Sequence, residues 1–496
     1  MLFNSLEFLI FFPIVLLIYF IIPKKVRYIW LLIASYYFYM CWNAAYALLL
    51  LASTLVTYAA GLLIDKWKDN ICLKKWMVAG SLIVNFGILF YYKYAIFALD
   101  TIDVVLKKIN VQLKPIELDI LLPVGISFYI FQAVGYTVDV YRGKLAAEKN
   151  PLRYALFVSF FPQLVAGPIE RSTNLLTQLR NVDQIKVWNT KRIQQGAIIM
   201  LYGYILKMII ADRASIFVDT VFHVEQYSLY KGFTVLIAIV LFSVQIYCDF
   251  AGYTYIAIGA AKMMGFDLMN NFKMPYLATS IKDFWDRWHI SLSSWFRDYL
   301  YFPLGGSRKG KIRKYINIFI VFMVSGLWHG ASWHFVLWGA IHGVMRVVGE
   351  ATTVFREKIY SKLHFQRDTM ATTIWKMLCT FGLVSLAWVF FRAESVGQAV
   401  NMIVNLFTEY NPWILTDGSI FTLGLDAKEW NVLLVAVSFL LIVDILRYCK
   451  INLTELFIKQ NLWFRWLVLY IGIMAVVIFG VYGPQYDAAQ FIYFQF

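Results

Sequence analysis

The sequence predicts an all-α polytopic membrane protein, and three observations carry that expectation. Sixty per cent of its 496 residues are hydrophobic and only 15% are charged, against about 25% charge in soluble domains. Apolar runs recur from end to end, and most are long enough to cross about 30 Å of hydrocarbon at 1.5 Å per residue. Basic residues gather in alternate loops, as they do on the cytoplasmic side of multi-pass proteins. The same composition argues against a water-soluble protein with one giant core.

Twelve candidate spans run over about 6–22, 28–42, 45–64, 76–97, 119–140, 193–210, 232–262, 315–329, 333–349, 374–391, 430–448 and 463–482. The first lacks the basic lead and small-residue cleavage site of a signal peptide, so it is expected to stay as a transmembrane helix. The run 232–262 is too long for one straight crossing. Lys24, Lys25 and Arg27 open the series of basic loops. Lys66–Lys75, Arg142–Arg153, Arg171–Arg192, Arg308–Lys314 and Arg356–Arg367 continue it. The loops between are poor in basic residues, Lys107, Lys108 and Lys114 aside. This pattern places the N-terminus, and after twelve spans the C-terminus, outside the cytoplasm. It also accounts for the net charge of +15 without nucleic acid, leaving membrane lipid as the partner of the basic loops.

Two apolar stretches do not fit as simple spans: 152–170, broken by Pro162, Gly167 and Pro168, and Asp283–Lys311, "DFWDRWHISLSSWFRDYLYFPLGGSRKGK". Both lie between basic clusters assigned to one side, so each is expected to re-enter the membrane or lie at its surface. Irregular backbone at that depth needs protein or a wet cavity around it. No internal repeat or low-complexity linker interrupts the chain, so residues 1–496 are expected to form one membrane domain. Five scattered cysteines suggest neither a disulfide framework nor a zinc site.

Polar groups inside apolar segments are costly and need a reason. Lys93 and Lys207 lie near predicted span ends, where their amines can reach water. Asp139 precedes a basic loop and is expected to pair with Arg142 or meet solvent. Gln245 and Asp249 stand four apart on one helical face, followed by Gly252, Gly259 and Gly265, which permit close helix contact. His329, His334 and His342 fall within fourteen residues. Their spacings of five and eight, with no acid among them, do not match the one-turn pairing of a metal site, and no metal is expected. His329, between Trp328 and Gly330, suits a lone acid–base group, because neutral imidazole works near pH 7 with little tuning.

Read as one helix, Asp283–Lys311 places Trp285, Trp288, Leu292, Trp295 and Tyr299 in an apolar row. Asp283 and Arg287 pair on the other face. Pro303 ends the helix and Gly305–Gly306 makes the turn. That describes an interfacial anchor with aromatics at headgroup level, but an anchor has no need of His289.

The blocks "FWDRWHISLSSWFRDYLYFPLGGSR" and "VSGLWHGASWHFVLWGAIHG" resemble the membrane-bound O-acyltransferase family, most closely its bacterial alginate O-acetyltransferase-like branch. "PVGISFYIFQAVGYTVDVYRG", "FFPQLVAGPIER", "YCDFAGYTYIAIGAAKMMGF" and the terminal "FIYFQF" extend the likeness over nearly the whole chain. The resemblance implies a ring of about 11–12 tilted helices, with re-entrant or interfacial helices, around a central tunnel, and a catalytic core near 119–349. It places the family's catalytic histidine at His329 and a second, upstream position at His289. Trp285, Trp288, Trp328, Ser325, Gln132, Gln245 and Asp249 are expected to line the substrate path. The implied activity is O-acyl transfer from a cytoplasmic thioester, acetyl-CoA or another, to hydroxyls of an extracytoplasmic polysaccharide or to a secreted acetyltransferase partner in the bacterial cell membrane. A cytoplasmic donor protein is a further possible partner, and no cofactor is expected to be tightly bound. The rival within the family is D-alanyl transfer to teichoic acid from a carrier-protein thioester. A transporter would want an inverted repeat and more midplane acids, and a non-catalytic scaffold would have no use for the histidines.

His329 lies fifteen residues past Lys314, roughly 22 Å at helical rise. His289 belongs to the inner side in this scheme. The two are therefore expected at different depths on one path.

Overall fold

Long apolar runs in hydrocarbon must close their own backbone hydrogen bonds, and helices do so within one segment. The computed structural model describes residues 1–482 apart from 112–119, 166, 224, 364–365 and 367–368, and every regular element among the described residues is helical. Residue 119, which opens the fifth predicted span, lies outside the described residues, as do Lys114, Arg367 and the terminal "FIYFQF".

In chain order the principal helices are α1 (Leu6–Ile21), α2 (Arg27–Met40), α3 (Tyr46–Lys66), α4 (Ile71–Lys108), α5 (Ile126–Tyr141), α6 (Pro151–Ser159), α7 (Thr190–Phe222) and α8 (Gly232–Met264). There follow α9 (Ile281–Arg287), α10 (Ile290–Phe296), α11 (Lys311–His329), α12 (Trp333–Ala351), α13 (Met370–Arg392), α14 (Val396–Thr408), α15 (Ala427–Tyr448) and α16 (Leu462–Phe479). Seven among the described residues are long and apolar enough to cross a membrane: α3, α4, α7, α8, α13, α15 and α16. The chain is a multi-pass all-α membrane protein.

Each of the twelve expected spans coincides with a helix, but five of those helices fall short as crossings. α1, α2 and α5 have only 14 to 16 residues. α11 and α12 have 19 residues each but carry Lys311, Arg313, Lys314 and Asn317 in one and His334, His342, Arg346 and Glu350 in the other. α4 and α7 run past their expected ends because single π-helical turns, Phe90–Tyr94 and Ile205–Ala211, carry the helix onward. α8 is one helix of 33 residues, about 50 Å long. The sequence reading did not include α14.

The fold divides into two compact units, Met1–Ala197 with Ala257–Met269, and Ile198–Ile256 with Asn270–Phe496. The boundaries at 197 and 256 fall inside α7 and α8, so no linker in the sequence marks them. In the first unit, Phe3, Phe8, Phe11, Phe12, Phe38 and Phe161 form an aromatic core. A seam of small polar groups joins α3, α4 and α6, with Ser53 donating to Asn85 and Tyr154 donating to Thr57. Such groups hold helices together where lipid supplies no hydrophobic drive. Asp139 is buried here and accepts from Ser172, with Lys144 rather than Arg142 as its ionic partner at 3.2 Å.

In the second unit α11 and α12 pack backbone to backbone. A Cβ on Gly326 would stand 2.3 Å from the Phe335 carbonyl oxygen, and one on Gly339 would stand 2.3 Å from that of Phe322. Backbone cannot yield as a flexible side chain can. Gly339→Ala is therefore expected to cost about 1–3 kcal/mol through forced separation of the helices, read as a lower thermal midpoint of the purified protein. An unchanged midpoint would show that the pair is not held at this glycine.

Candidate active site

Asp283–Lys311 does not form the single amphipathic helix its periodicity suggests. α9 stops at Arg287, Trp288 is extended, His289 is left-handed with φ 44° and ψ 52°, and α10 starts at Ile290. Neither Pro nor Gly marks the break. Backbone bonds on either side clasp it: Lys273 N–H donates to the Arg287 carbonyl and Ile290 N–H to the Asn271 carbonyl, both at 3.0 Å. Arg287 still pairs with Asp283, Nε to Oδ1 at 2.7 Å, as the four-residue spacing requires.

The break turns two neighbouring rings into different surroundings. Trp288 packs on Phe272, Phe284 and Trp388. His289 meets Phe250 edge to face at 4.7 Å between centroids and Trp328 at 5.8 Å. Trp285, Trp288, Leu292 and Trp295 are all buried, and Tyr299 is half-buried. For Trp285, Trp288, Leu292 and Trp295 the interfacial anchor is thus overturned: that part of the aromatic row is interior packing. The basic run beyond Gly305–Gly306 keeps its exposed character, as do Phe302 and Pro303 just before it, and within the run Lys314 pairs with Glu350.

The expected difference in depth is overturned with it. The rings of His289 and His329 lie 6.2 Å apart between centroids. The reason is the hairpin. Asn317, near the start of α11, holds the carbonyls of Leu304 and Gly306, whereas His289 lies at the other end of α11. The chain from His289 to Gly306 therefore runs back along α11, and the Gly305–Gly310 turn reverses it. Sequence distance from the basic run counts residues along one helix to reach His329, but it does not do so for His289.

His329 ends α11. Its ring is boxed edge to face by Trp328 at 4.9 Å, Trp338 at 5.0 Å and Phe391 at 5.4 Å. Gly330 follows in extended conformation, and a Cβ there would collide with the Phe335 ring. Both imidazoles are withdrawn from solvent, at 0% and 2% exposure. Rings in edge-to-face contact restrict one another's rotation, so each imidazole is aimed by its aromatic neighbours.

His334 and His342 have other partners. His334 Nδ1 lies 3.0 Å from the Phe390 carbonyl oxygen. His342 Nδ1 accepts from the Trp285 indole at 3.3 Å, which fixes its proton on Nε2. Of the other expected lining residues, Trp328 lies against both site imidazoles, and Ser325 is buried one turn before His329 on α11. Gln245 is buried on α8, one turn before Asp249. Gln132 belongs to the first unit, where its amide donates to the Phe157 carbonyl and accepts from Gln163.

Asp249 is not a free lining group. Its carboxylate is 2.6 Å from the Lys207 ammonium, which also holds Asp212 at 2.7 Å. Lys207 is 1% exposed, so the expected reach to water at a span end is overturned. Lys207 and Asp212 are five apart and would diverge on an α-helix. The π-helical turn Ile205–Ala211 brings them to one side. Gly203 and Gly252, in backbone contact, let α7 and α8 approach closely enough for the third member. Gly259 meets Gly196 in the same way in the first unit, while Gly265, at φ 101°, instead follows the end of α8. Phe250, next to Asp249, is the ring against His289. Sequence reading missed Phe250, Trp338 and Phe391 as walls of the site. Of these, only Trp338 left a signal, as a tryptophan one turn ahead of His342 in a histidine-rich block.

A sequence model described as "MBOAT, membrane-bound O-acyltransferase family" matches residues 145–393. The chain is 37% identical to a probable alginate O-acetylase AlgI of Pseudomonas syringae pv. tomato, over 84% of this chain and 77% of that one. It is 33% identical to a peptidoglycan O-acetyltransferase of Helicobacter pylori over 81% and 79%. It is 30% identical to a teichoic acid D-alanyltransferase of Bacillus subtilis over 54% and 68%. With two buried imidazoles at the heart of the matched region, the chain belongs to the membrane-bound O-acyltransferase family, in its alginate O-acetylase-like branch, and is an O-acyltransferase.

Proposed function

We propose that this protein transfers an acetyl group from a cytoplasmic thioester, most simply acetyl-CoA, to hydroxyls of an extracytoplasmic polysaccharide, directly or through a secreted acetyltransferase partner. The observation that carries the reading is the pair His289–His329, with centroids 6.2 Å apart in an aromatic enclosure. That separation is short enough for the two oxygens of one reacting pair, acceptor hydroxyl and thioester carbonyl, each to hydrogen-bond to one ring at about 2.8 Å. The acetyl assignment follows the reach of the likeness: the O-acetylases named above match over more than 80% of this chain and the D-alanyltransferase over 54%. In this reading the protein sits in the bacterial cell membrane with both termini outside the cytoplasm.

In the proposed reaction His329 takes the proton of the acceptor hydroxyl as its oxygen attacks the thioester carbonyl. An N–H of His289 donates to the carbonyl oxygen as negative charge gathers there. The C–O bond forms, the C–S bond breaks, and the proton held by His329 leaves on the thiolate sulfur. No proton is consumed overall, and both imidazoles return neutral.

Base-labile acetate on the secreted and wall polysaccharides is expected to fall in cells lacking the protein and to return with the wild-type gene but not with His329→Ala. Unchanged ester acetate in every fraction would overturn the acetyl-transfer reading. Loss of D-alanine esters with acetate intact would turn the assignment to the teichoic acid branch.

A further inference from the structure

We propose that Asn271 is the positioning residue that holds His289 in its left-handed conformation and thereby sets the distance between the two imidazoles. The inference rests on the reading of His289 as a catalytic group.

A residue with a side chain occupies the left-handed region only where its surroundings enforce it. His289 is there with φ 44°, and it is the last residue before α10. The two amides that follow it are both held by Asn271. Ile290 N–H donates to the Asn271 carbonyl at 3.0 Å, and Ser291 N–H donates to the Asn271 side-chain oxygen at 3.2 Å. The amide nitrogen of the same side chain donates to Thr254 Oγ1 at 3.5 Å. Thr254 stands one turn beyond Phe250 on α8, and Phe250 is the ring against His289. One side chain therefore ties the backbone beyond His289 to the helix that walls its imidazole. Asn271 is 0% exposed.

The chemistry calls for asparagine. Its oxygen accepts and its nitrogen donates, on opposite sides of one planar group. Aspartate would keep the acceptor for Ser291 N–H and lose the donor to Thr254. Leucine of similar volume would lose both. Phe272, the next residue, packs on Trp288 and Phe250 at 5.0 Å each, so the segment that carries Asn271 is itself anchored, and loss of the amide alone is not expected to release it.

The test uses the full-length protein purified in detergent, with Asn271→Leu and Asn271→Asp each made in the wild type and in His289→Ala. Amide exchange followed by mass spectrometry over 285–296 is expected to quicken at Ser291 by about 10-fold or more in Asn271→Leu, with α16 unchanged. In Asn271→Asp the protection at Ser291 is expected to return. Release of thiol from acetyl-CoA is expected to fall in kcat by about 10-fold or more in Asn271→Leu, with KM within about 3-fold, because the loss is one of alignment. In the His289→Ala background the same substitution is expected to change the residual rate by less than about 2-fold. Unaltered exchange at Ser291, or an equal fold-loss in both backgrounds, would overturn the proposal. A wild-type protein that releases no thiol from acetyl-CoA would overturn the donor assignment above, and the exchange at Ser291 would then decide the anchoring by itself.

Discussion

His329→Ala is expected to lower acyl transfer by about 10²- to 10⁴-fold, the usual worth of a positioned general base. The measurement is a single turnover with labelled acyl thioester, which separates the chemical step from donor binding. Binding is expected to change little, because the proposed role of the ring lies in the chemical step. His329 is buried against Trp328, Trp338 and Phe391, so removing it also leaves a cavity, and the thermal midpoint must be recorded beside the rate. His329→Gln fills much of that space and keeps polar atoms near the ring nitrogens, yet cannot take up a proton. It is expected to recover the midpoint but not the rate. His289→Ala is expected to be similarly slow, and the pair to be non-additive: with centroids 6.2 Å apart the two rings face one reacting group, and the double variant should lose little beyond the worse single one. Full transfer by His329→Gln would remove His329 from the chemistry. Strict additivity would mean that the two rings act at separate steps, as their sequence positions first suggested.

The contrast between those two histidines shows what the sequence makes legible. The place of His329 at the far end of α11 follows from counting along one unbroken helix, because helical rise is fixed. His289 could not be placed in that way. The apolar spacing of Trp285, Trp288, Leu292 and Trp295 continues through the break, so the pattern satisfies a surface helix and two buried half-helices equally. What breaks the helix is Asn271 and Lys273, fourteen or more residues upstream, and no local propensity records a clasp made at that distance. The fold class was legible because hydropathy and the placement of basic loops answer to the membrane directly. The aromatic walls were not: Phe250 and Phe391 sit in apolar runs where any phenylalanine reads as lipid-facing. Lys207 was misplaced for a related reason. Its distance from a predicted span end was measured on an α-helix that was expected to stop near residue 210, and the π-helical turn instead carries that helix on to Phe222.

Lys207→Met is expected to be among the most destabilising single substitutions in the chain. The ammonium holds Asp249 at 2.6 Å and Asp212 at 2.7 Å with all three side chains buried. Removing it takes the shared ammonium from two buried carboxylates, and breaking a buried ion pair from one side costs about 3–5 kcal/mol. That is a large part of the roughly 5–15 kcal/mol by which folded domains are stable. The expected reading is a fall in the thermal midpoint of roughly 5 °C or more. The triad as a whole is worth far less than this, because its members also lost their hydration on folding. A triple variant, Lys207→Met with Asp212→Asn and Asp249→Asn, removes every charge at nearly constant volume and is expected to regain more than half of the lost midpoint. The pairing also has a consequence for the site. Asp249 adjoins Phe250, the ring against His289, so the single variant is expected to slow acyl transfer even at temperatures where it remains folded, and the triple variant to recover rate and midpoint together. A single variant as stable as the wild type would mean that water reaches the triad. A triple variant no better than the single one would place the cost in packing around the π-helical turn rather than in uncompensated charge.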